Sequence, residues 1–329
     1  MFEAIQCLRT PDPDPLGHSV EQEYHATFYP MGYPVVISSN STAPLRVATQ
    51  LWSEYSPLSC TGTVHLRIFV DEIHPRPLAA PVPPRGEGHL ISIVHGPRDF
   101  AIADLSRGFG FAVLSHSTIA EPGFYRYYFL EPLVYLMQAA RHFVFVHASS
   151  IARNGNAIVL CGDSGVGKTC LAYACAKRGW SFVTGDALHI VRDAPDYTVV
   201  GRPFEIRFRE SARNLFPELQ TVSTEARPNR KSDVVVSTCG LGLSTELSAR
   251  ARSIVFIDRS GPVDLCPCEP EMALQQLSQT ICFGDDEIRR AQVEALRRFV
   301  SLPIWRLNIS NLDRAENVLS GLLRGQRTC

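Results

Sequence analysis

The residues from Gly162 to Thr169 spell the pattern G-x-x-x-x-G-K-T. Glycines let a backbone turn tightly enough for successive N–H groups to face a phosphate. In such a loop the lysine reaches β- and γ-phosphate oxygens, and the threonine hydroxyl ligates Mg²⁺. The pattern therefore predicts a binding loop for ATP and Mg²⁺, formed by Gly162, Asp163, Ser164, Gly165, Val166, Gly167, Lys168 and Thr169.

The sequence around the loop predicts the elements that would position it. The run Asn156–Cys161 is N-A-I-V-L-C, which is short, β-branched and typical of a buried strand. The run Lys168–Arg178 has apolar residues at helical spacing, and Gly179 follows it, as at many helix C-termini. A strand, a glycine loop and a helix in this order are the context in which the motif binds phosphate. The motif alone does not distinguish motors, GTPases, transporter ATPases and kinases.

A second apolar run ends in an acid. The segment Ala251–Arg259 is A-R-S-I-V-F-I-D-R, with Asp258 near its end. A phosphate-loop ATPase holds its metal with an acid in such a place, so Asp258 is one candidate for that role. The alternative is that Asp258 caps the end of a core strand and takes no part in chemistry.

Around the loop the chain resembles the HPr kinase/phosphorylase family, including its relatives that phosphorylate lasso-peptide precursors. The family loop is G-D-S-G-V/I-G-K-S, against G-D-S-G-V-G-K-T here, and His147 precedes the loop at the family's spacing. An R-G pair at Arg178–Gly179 then leads into the strand W-S-F-V-T. The likeness runs from about residue 143 to 210, more loosely to the end, and not over the first 120 residues. It implies an α/β fold, with a P-loop kinase domain of HPr-kinase type over residues 126–329.

The resemblance implies catalytic roles for His147 and Asp186, with one departure from the family's pattern. The family has a pair of aspartates, which falls on Gly185 and Asp186 here. The first aspartate acts as base toward the acceptor hydroxyl, and the second lies near the metal and phosphates. Three interpretations follow: Asp186 performs both tasks, His147 supplies the base, or the site binds ATP with little transfer. We expect glycine at position 185 to permit a local bend that turns Asp186 toward the phosphates.

The resemblance also implies three metal ligands, namely Thr169, Asp186 and Glu205. Glu205 lies in an E-I-R triplet like one in the family, but Phe208 replaces the glycine that follows it there. Three nearby arginines either brace phosphates or form a solvated basic face: Arg202, Arg207 and Arg209.

The implied function is that of a kinase. It would use ATP and Mg²⁺ to phosphorylate a serine-type hydroxyl on a small protein or peptide. Two alternatives stay open. One is an ATP-binding regulatory protein with little or no transfer activity, and the other is a P-loop ATPase that uses Asp258.

Composition limits the partners. Lys plus Arg number 32 against 33 Asp plus Glu, so no broad field attracts nucleic acid or an anionic membrane. No apolar run reaches the roughly 18–20 residues that span a bilayer, and the acidic, proline-broken start does not resemble a signal peptide. The 10 cysteines lack zinc-site spacing and are interpreted as reduced thiols. We expect a cytoplasmic protein with a small protein or peptide acceptor, no nucleic acid and no membrane partner; a homo-oligomer is left open.

The remaining patterns predict two domains. Residues 1–125 form a β-rich N-terminal domain, in which Val64–Glu72 alternates like a half-buried strand. Two further strands are expected to meet at a turn near Gly108, and the proline-rich stretch Pro75–Gly88 is an expected loop. From Glu131 the pattern becomes helical, and strands and helices then alternate to the end of the second domain, 126–329. His189 is interpreted as a satisfied residue of an edge strand.

Overall fold

The structure is a computed structural model that describes residues 22–71, 82–96, 98–226, 232–281 and 283–324. Its first part is a seven-stranded mixed sheet with the strand order β1-β2-β3-β7-β6-β5-β4. The strands are β1 (Tyr24–Phe28), β2 (Val35–Ser39), β3 (Val64–Asp71), β4 (Arg85–Glu87), β5 (Leu90–Gly96), β6 (Asp99–Asp104) and β7 (Phe109–Ser115), and helix α1 (Ala43–Trp52) connects β2 to β3.

The local patterns predicted strands β3, β6 and β7 of this sheet. The alternation in β3 is confirmed, because Val64, Leu66, Ile68 and Val70 are all buried. The expected turn between β6 and β7 also forms, and Gly108 has a φ of +65° there. Half of the proline-rich stretch, residues 75–81, lies outside the described residues, and in the described half Arg85–Glu87 forms strand β4 where a loop was expected.

A helical segment covers one face of this sheet. It consists of α2 (His116–Ala120), α3 (Pro122–Tyr125), a π-helical turn (Arg126–Leu130) and α4 (Glu131–Arg141). Phe129, Leu133 and Met137 of this segment are buried in the same hydrophobic core as Ile68 of the sheet. The core of the first sheet therefore extends along the chain as far as α4.

The rest of the chain is built on a nine-stranded mixed sheet and a three-stranded one. The strands are β8 (Phe143–Val146), β9 (Ser149–Arg153), β10 (Asn156–Cys161), β11 (Ser181–Thr184), β12 (Leu188–Val191), β13 (Thr198–Val200), β14 (Glu205–Phe208), β15 (Thr224–Ala226), β16 (Ser232–Ser237), β17 (Ser248–Asp258), β18 (Asp264–Pro267) and β19 (Ile304–Asn308). The helices are α5 (Lys168–Ala176), α6 (Pro270–Ser278), α7 (Asp286–Phe299) and α8 (Leu312–Leu323).

The large sheet has the strand order β11-β9-β10-β17-β13-β12-β8, and β19 also pairs with β17. Strand β10 lies between β9, which is antiparallel to it, and β17, which is parallel. Strands β14, β16 and β15 form the small sheet in that order. The protein is thus an α/β structure with several mixed sheets.

Strand β10 is buried on both faces, which explains its almost continuous apolar sequence. Ile158 and Leu160 pack in a core with Leu171 of α5. Val159 and Cys161 pack on the opposite face, in a core with Leu296 of α7. Because helices cover both faces, the end of β10 is fixed firmly, and the loop that follows starts from a rigid point. All seven cysteines among the described residues are free thiols.

Candidate functional site

The loop from Gly162 to Gly167 links β10 to α5, as its sequence predicted. Three of its glycines have φ values of +133° (Gly162), +92° (Gly165) and +110° (Gly167), which side-chain-bearing residues rarely adopt. A Cβ atom on Gly162 would also lie 2.8 Å from the carbonyl oxygen of Ile257. Helix α5 begins at Lys168 without a side-chain cap, so its first N–H groups are free to face an anion.

Lys168 folds back over the loop. Its Nζ atom donates to the carbonyl oxygens of Gly162, at 2.7 Å, and Asp163, at 3.1 Å. Only 5% of the residue is exposed. Burial lowers the pKa of Lys168, while the acids Asp163 and Asp186 act in the opposite direction. The ammonium group is therefore held at the loop, where it can exchange carbonyl oxygens for phosphate oxygens.

Thr169 connects the loop to the end of β11. Its hydroxyl donates to the carbonyl oxygen of Gly185 at 2.8 Å, and the hydroxyl of Ser149 donates to the same oxygen. Gly185 is buried at this junction, whereas Asp186 beside it is exposed. These hydrogen bonds fix the position of Asp186 relative to the loop.

His147 lies next to Asp186. Its Nδ1 atom is 3.0 Å from the backbone oxygen of Asp186, and since a carbonyl can only accept, Nδ1 carries the proton. The pKa of His147 is lowered by the surrounding protein and then by the charge of Lys168, which outweigh the opposite effect of Asp186. The ring is therefore neutral at neutral pH, and its Nε2 atom is free to accept a proton.

Arginines flank the loop on both sides. Arg209 donates from Nη2 to the hydroxyl of Ser164 at 2.8 Å, and Arg259 donates from Nε to the carbonyl oxygen of Val166 at 2.7 Å. Sequence reasoning proposed Arg209 as one alternative and missed Arg259. Its position directly after Asp258, at the end of an apolar run, is the signal that could have identified it.

These side chains share one cleft with a volume of about 530 Å³. The cleft is lined by the loop and by His147, Thr169, Asp186, Arg207, Arg209 and Arg259. It has the features that a polyphosphate requires: loop glycines, a helix N-terminus and several cationic groups.

Two predicted metal-side acids do not line this cleft. Asp258 stands at the end of β17, where its carboxylate accepts the backbone N–H of Arg259 at 2.6 Å. Glu205 forms an ion pair with Arg207, whose side chain does line the cleft. Arg202 lies elsewhere, 2.8 Å from the carboxylate of Glu131. The structure thus brings Thr169 and Asp186 together in the cleft. Glu205 lies outside the cleft and is connected to it only through Arg207.

The protein groups that could hold Mg²⁺ are therefore few. Across the described residues, no group of three or more His, Cys, Asp or Glu side chains could hold a metal ion. Mg²⁺ bound with a nucleotide typically takes one or two protein carboxylates and completes its shell with phosphates and water. The Thr169 hydroxyl and the Asp186 carboxylate fit that limited role.

His189 differs from its prediction. Strand β12, which contains it, pairs with β13 on one side and β8 on the other, so it is not an edge strand. The side chain is 3% exposed, and its Nδ1 atom has no hydrogen-bond partner. Burial lowers its pKa to about 3, so the ring is neutral.

Comparisons with known proteins identify no family for this chain. No known protein family matches the chain, and no curated protein matches it either. One solved structure, the HPr(Ser) kinase/phosphatase from Coxiella burnetii, is similar over 55% of this chain and 88% of its own, with 11% identity and a TM-score of 0.29. A likeness at that level does not bear on function, so the site is judged by its own geometry. None of the described helices is long and apolar enough to cross a membrane.

Proposed function

We propose that this chain is an ATP- and Mg²⁺-dependent kinase that transfers the γ-phosphoryl group to a serine-type hydroxyl of a small protein or peptide. One observation carries the proposal. The loop residues Lys168 and Thr169 line the same cleft as Asp186 and His147, which are two groups able to accept a proton. Transfer from a nucleotide to a hydroxyl needs both parts within one site.

On the nucleotide side, the loop glycines, Lys168 and Thr169 hold the phosphates and the metal. Mg-ATP, when bound, supplies the γ-phosphoryl group and the metal charge that offsets its negative oxygens. The transition state of such a transfer is loose, so positioning and charge neutralisation provide most of the catalysis. Arg209 and Arg259 add two cations at the loop for this purpose.

On the acceptor side, the serine oxygen bonds to the γ-phosphorus while the bond from that phosphorus to the β,γ-bridging oxygen breaks, which leaves ADP. The hydroxyl proton passes to Asp186 or to Nε2 of His147. A general base contributes about 10²–10⁴-fold to such a step. Glycine at position 185 therefore removes one candidate base, and Asp186 and His147 remain.

A P-loop ATPase that uses Asp258 is the weaker candidate. The carboxylate of Asp258 is engaged by the backbone N–H of Arg259, and Asp258 does not line the cleft. An ATP-binding regulatory protein remains the alternative if no acceptor is phosphorylated.

Nucleotide binding is tested first. Calorimetric titration of Mg-ATP should show that Lys168→Ala loses a charge-assisted contact worth about 1.5–3 kcal/mol, or more than tenfold in affinity. The matched control is Lys177→Ala, since Lys177 is exposed and pairs with Glu218 away from the loop. Equal affinities in the two variants would contradict the assignment of the loop.

Transfer is tested second. Serine-containing peptides and small proteins are incubated with ATP labelled in its γ-phosphate, and the product is located by mass shift. Label on a serine supports the kinase. Mg-ATP binding without label on any acceptor favours the regulatory alternative, and release of inorganic phosphate without an acceptor favours the ATPase.

A further inference from the structure

A second cavity lies beside the nucleotide cleft. Its volume is about 480 Å³, and apolar side chains form most of its walls, among them Leu105, Leu136, Val144, Phe145, Ile281 and Phe283. The cavity is partly open to solvent, as the nucleotide cleft is. Its volume falls in the range of sites that bind small organic groups.

Residues that are neighbours in the sequence line the cavity and the cleft. Ala187 lines the cavity, and Asp186, the residue before it, lines the cleft. In the same way Phe145 lines the cavity and His147 lines the cleft. Two residues along an extended chain span about 7 Å. A group inside the cavity would therefore lie within a few residues' reach of a hydroxyl at Asp186 and His147.

The polar groups that line the cavity do not favour a charged ligand. Arg202 lines it, but its guanidinium pairs with Glu131 at 2.8 Å and lies 5.3 Å from the ring centroid of Tyr135. His189 also lines it as a neutral ring. The positive charge of Arg202 is already paired and so would not attract a ligand carboxylate. No acid is among the described residues that line the cavity, so a ligand ammonium would find no partner among them.

The rings around His189 favour an aromatic ligand. The centroids of Tyr135 and Phe145 lie 6.4 Å and 5.6 Å from that of His189, and both side chains line the cavity. Phe145 is 36% exposed, so its ring is accessible from the cavity. Aromatic groups gain from ring contacts at such distances beyond the area that they bury.

We propose that this cavity binds an aromatic side chain of the acceptor, placed one to three residues from the serine that receives the phosphoryl group. The inference rests on the proposed function for the identity of its ligand. The cavity would then be a recognition site that selects acceptors by the residues next to the phosphorylated serine.

The test uses a filled cavity and a matched control. Ala139 of α4 lines the cavity, so Ala139→Leu places three further carbon atoms in it. Ala291→Leu makes the same change on an exposed position of α7, one residue before Gln292, which also lines the cavity. Thermal unfolding of both variants first establishes that they fold.

Indole then serves as a probe that needs no nucleotide. Titration should show indole binding to the wild type and to Ala291→Leu, and binding at least about tenfold weaker to Ala139→Leu. Absence of binding to the wild type, or equal binding to all three proteins, would overturn the proposal.

Labelled serine peptides that carry Trp, Phe or Ala near the serine provide the second readout. Anisotropy should show the aromatic peptides binding about tenfold or more tightly than the Ala peptide, as expected for burial of one large side chain. The preference should disappear in Ala139→Leu and persist in Ala291→Leu. Equal binding of the three peptides to the wild type overturns the inference.

Phosphoryl transfer to the same peptides separates the two proposals. Aromatic-dependent binding without transfer leaves the recognition site standing and contradicts the kinase. Transfer without aromatic preference does the reverse.

Discussion

The γ-methyl group of Thr169 lies 3.2 Å from the point where a Cβ atom on Gly185 would stand. Real Cβ contacts are seldom so short, so these two positions compete for one space. Gly185 itself is not among the glycines with positive φ, so its backbone conformation does not require glycine. A bend at Gly185 therefore does not draw on a positive φ, and the constraint that the structure shows at this position is the short approach to the methyl group of Thr169.

This competition makes a testable prediction. Gly185→Asp alone should lower both the stability and the transfer rate, because the new side chain displaces Thr169 and its hydroxyl. Thr169→Ser removes the methyl, keeps the hydroxyl and leaves room at position 185. In a double-mutant cycle the pair should show a favourable coupling of about 0.5 kcal/mol or more in urea unfolding. Additive effects would show that the two residues do not compete.

The arginines at the loop should contribute to nucleotide affinity. Arg209→Gln and Arg259→Gln each remove a charge close to the loop, and each should weaken Mg-ATP binding by roughly tenfold. The control is Arg252→Gln, which lies on the same strand as Asp258 but bonds to Asn156, at the end of β10 that is away from the loop. Its affinity should stay within about twofold. Calorimetry on the four proteins decides, and an unchanged affinity in Arg259→Gln would remove Arg259 from the site.

Substitution of the two candidate acids, Asp186 and Asp258, should have clearly different effects on phosphoryl transfer. Asp186→Asn should cut phosphoryl transfer by about 10²-fold or more, because a base acts on the transition state. Mg-ATP affinity should change only a few fold, because phosphates and water supply most ligands of nucleotide-bound Mg²⁺. Asp258→Asn is the same chemical change outside the cleft and should leave transfer near the wild-type rate. Labelled-phosphate transfer measured at saturating ATP provides the comparison. The opposite pattern would make Asp258 the metal-side acid.

Glu131 should stabilise the fold in a pH-dependent way. Burial acts to raise its pKa, but Arg202 and Arg126 outweigh this and hold the pKa below its ordinary 4.5. A lowered folded-state pKa means that the stabilisation is present above about pH 4.5 and is lost as the pH falls through the folded value. Glu131→Gln should cost about 1.5–3 kcal/mol at pH 7, because Arg202 keeps its charge without its partner.

Urea unfolding at pH 7 and at pH 3.5 measures this. The cost of Glu131→Gln should shrink at the lower pH, because the carboxyl of the unfolded wild-type chain, with its ordinary pKa of 4.5, takes up a proton there. Glu294→Gln is the control, since Glu294 and its partner Arg297 are both largely exposed and such pairs contribute little. A cost that does not change with pH would mean that the charge of Glu131 is unimportant.

The sequence predicted the parts of the site that depend on short-range patterns. The strand Asn156–Cys161, the glycine loop and the start of α5 at Lys168 all follow from neighbouring residues, and all three are confirmed. Their residue types are dictated by local backbone geometry and by burial on both faces.

The features that the sequence did not predict depend on pairing between distant strands. Arg259 reaches the loop only because β17 lies parallel to β10, nearly a hundred residues earlier in the chain. His189 is interior only because β8 pairs with β12 across more than forty residues. The insertion of β9 between β10 and β11 likewise has no local signal, although it determines where Asp186 stands.

The double attachment of α4 has a consequence for how the molecule melts. Leu133 and Met137 belong to the core of the first sheet, while Glu131 pairs with Arg202 and the backbone oxygen of Ala139 accepts from Gln292 of α7 at 3.3 Å. Ile288, also on α7, lies in the first core. Neither sheet can lose its structure without exposing apolar surface of the other. We therefore expect a single cooperative heat-absorption peak, with equal calorimetric and van't Hoff enthalpies, so that damage to the first sheet also abolishes nucleotide binding.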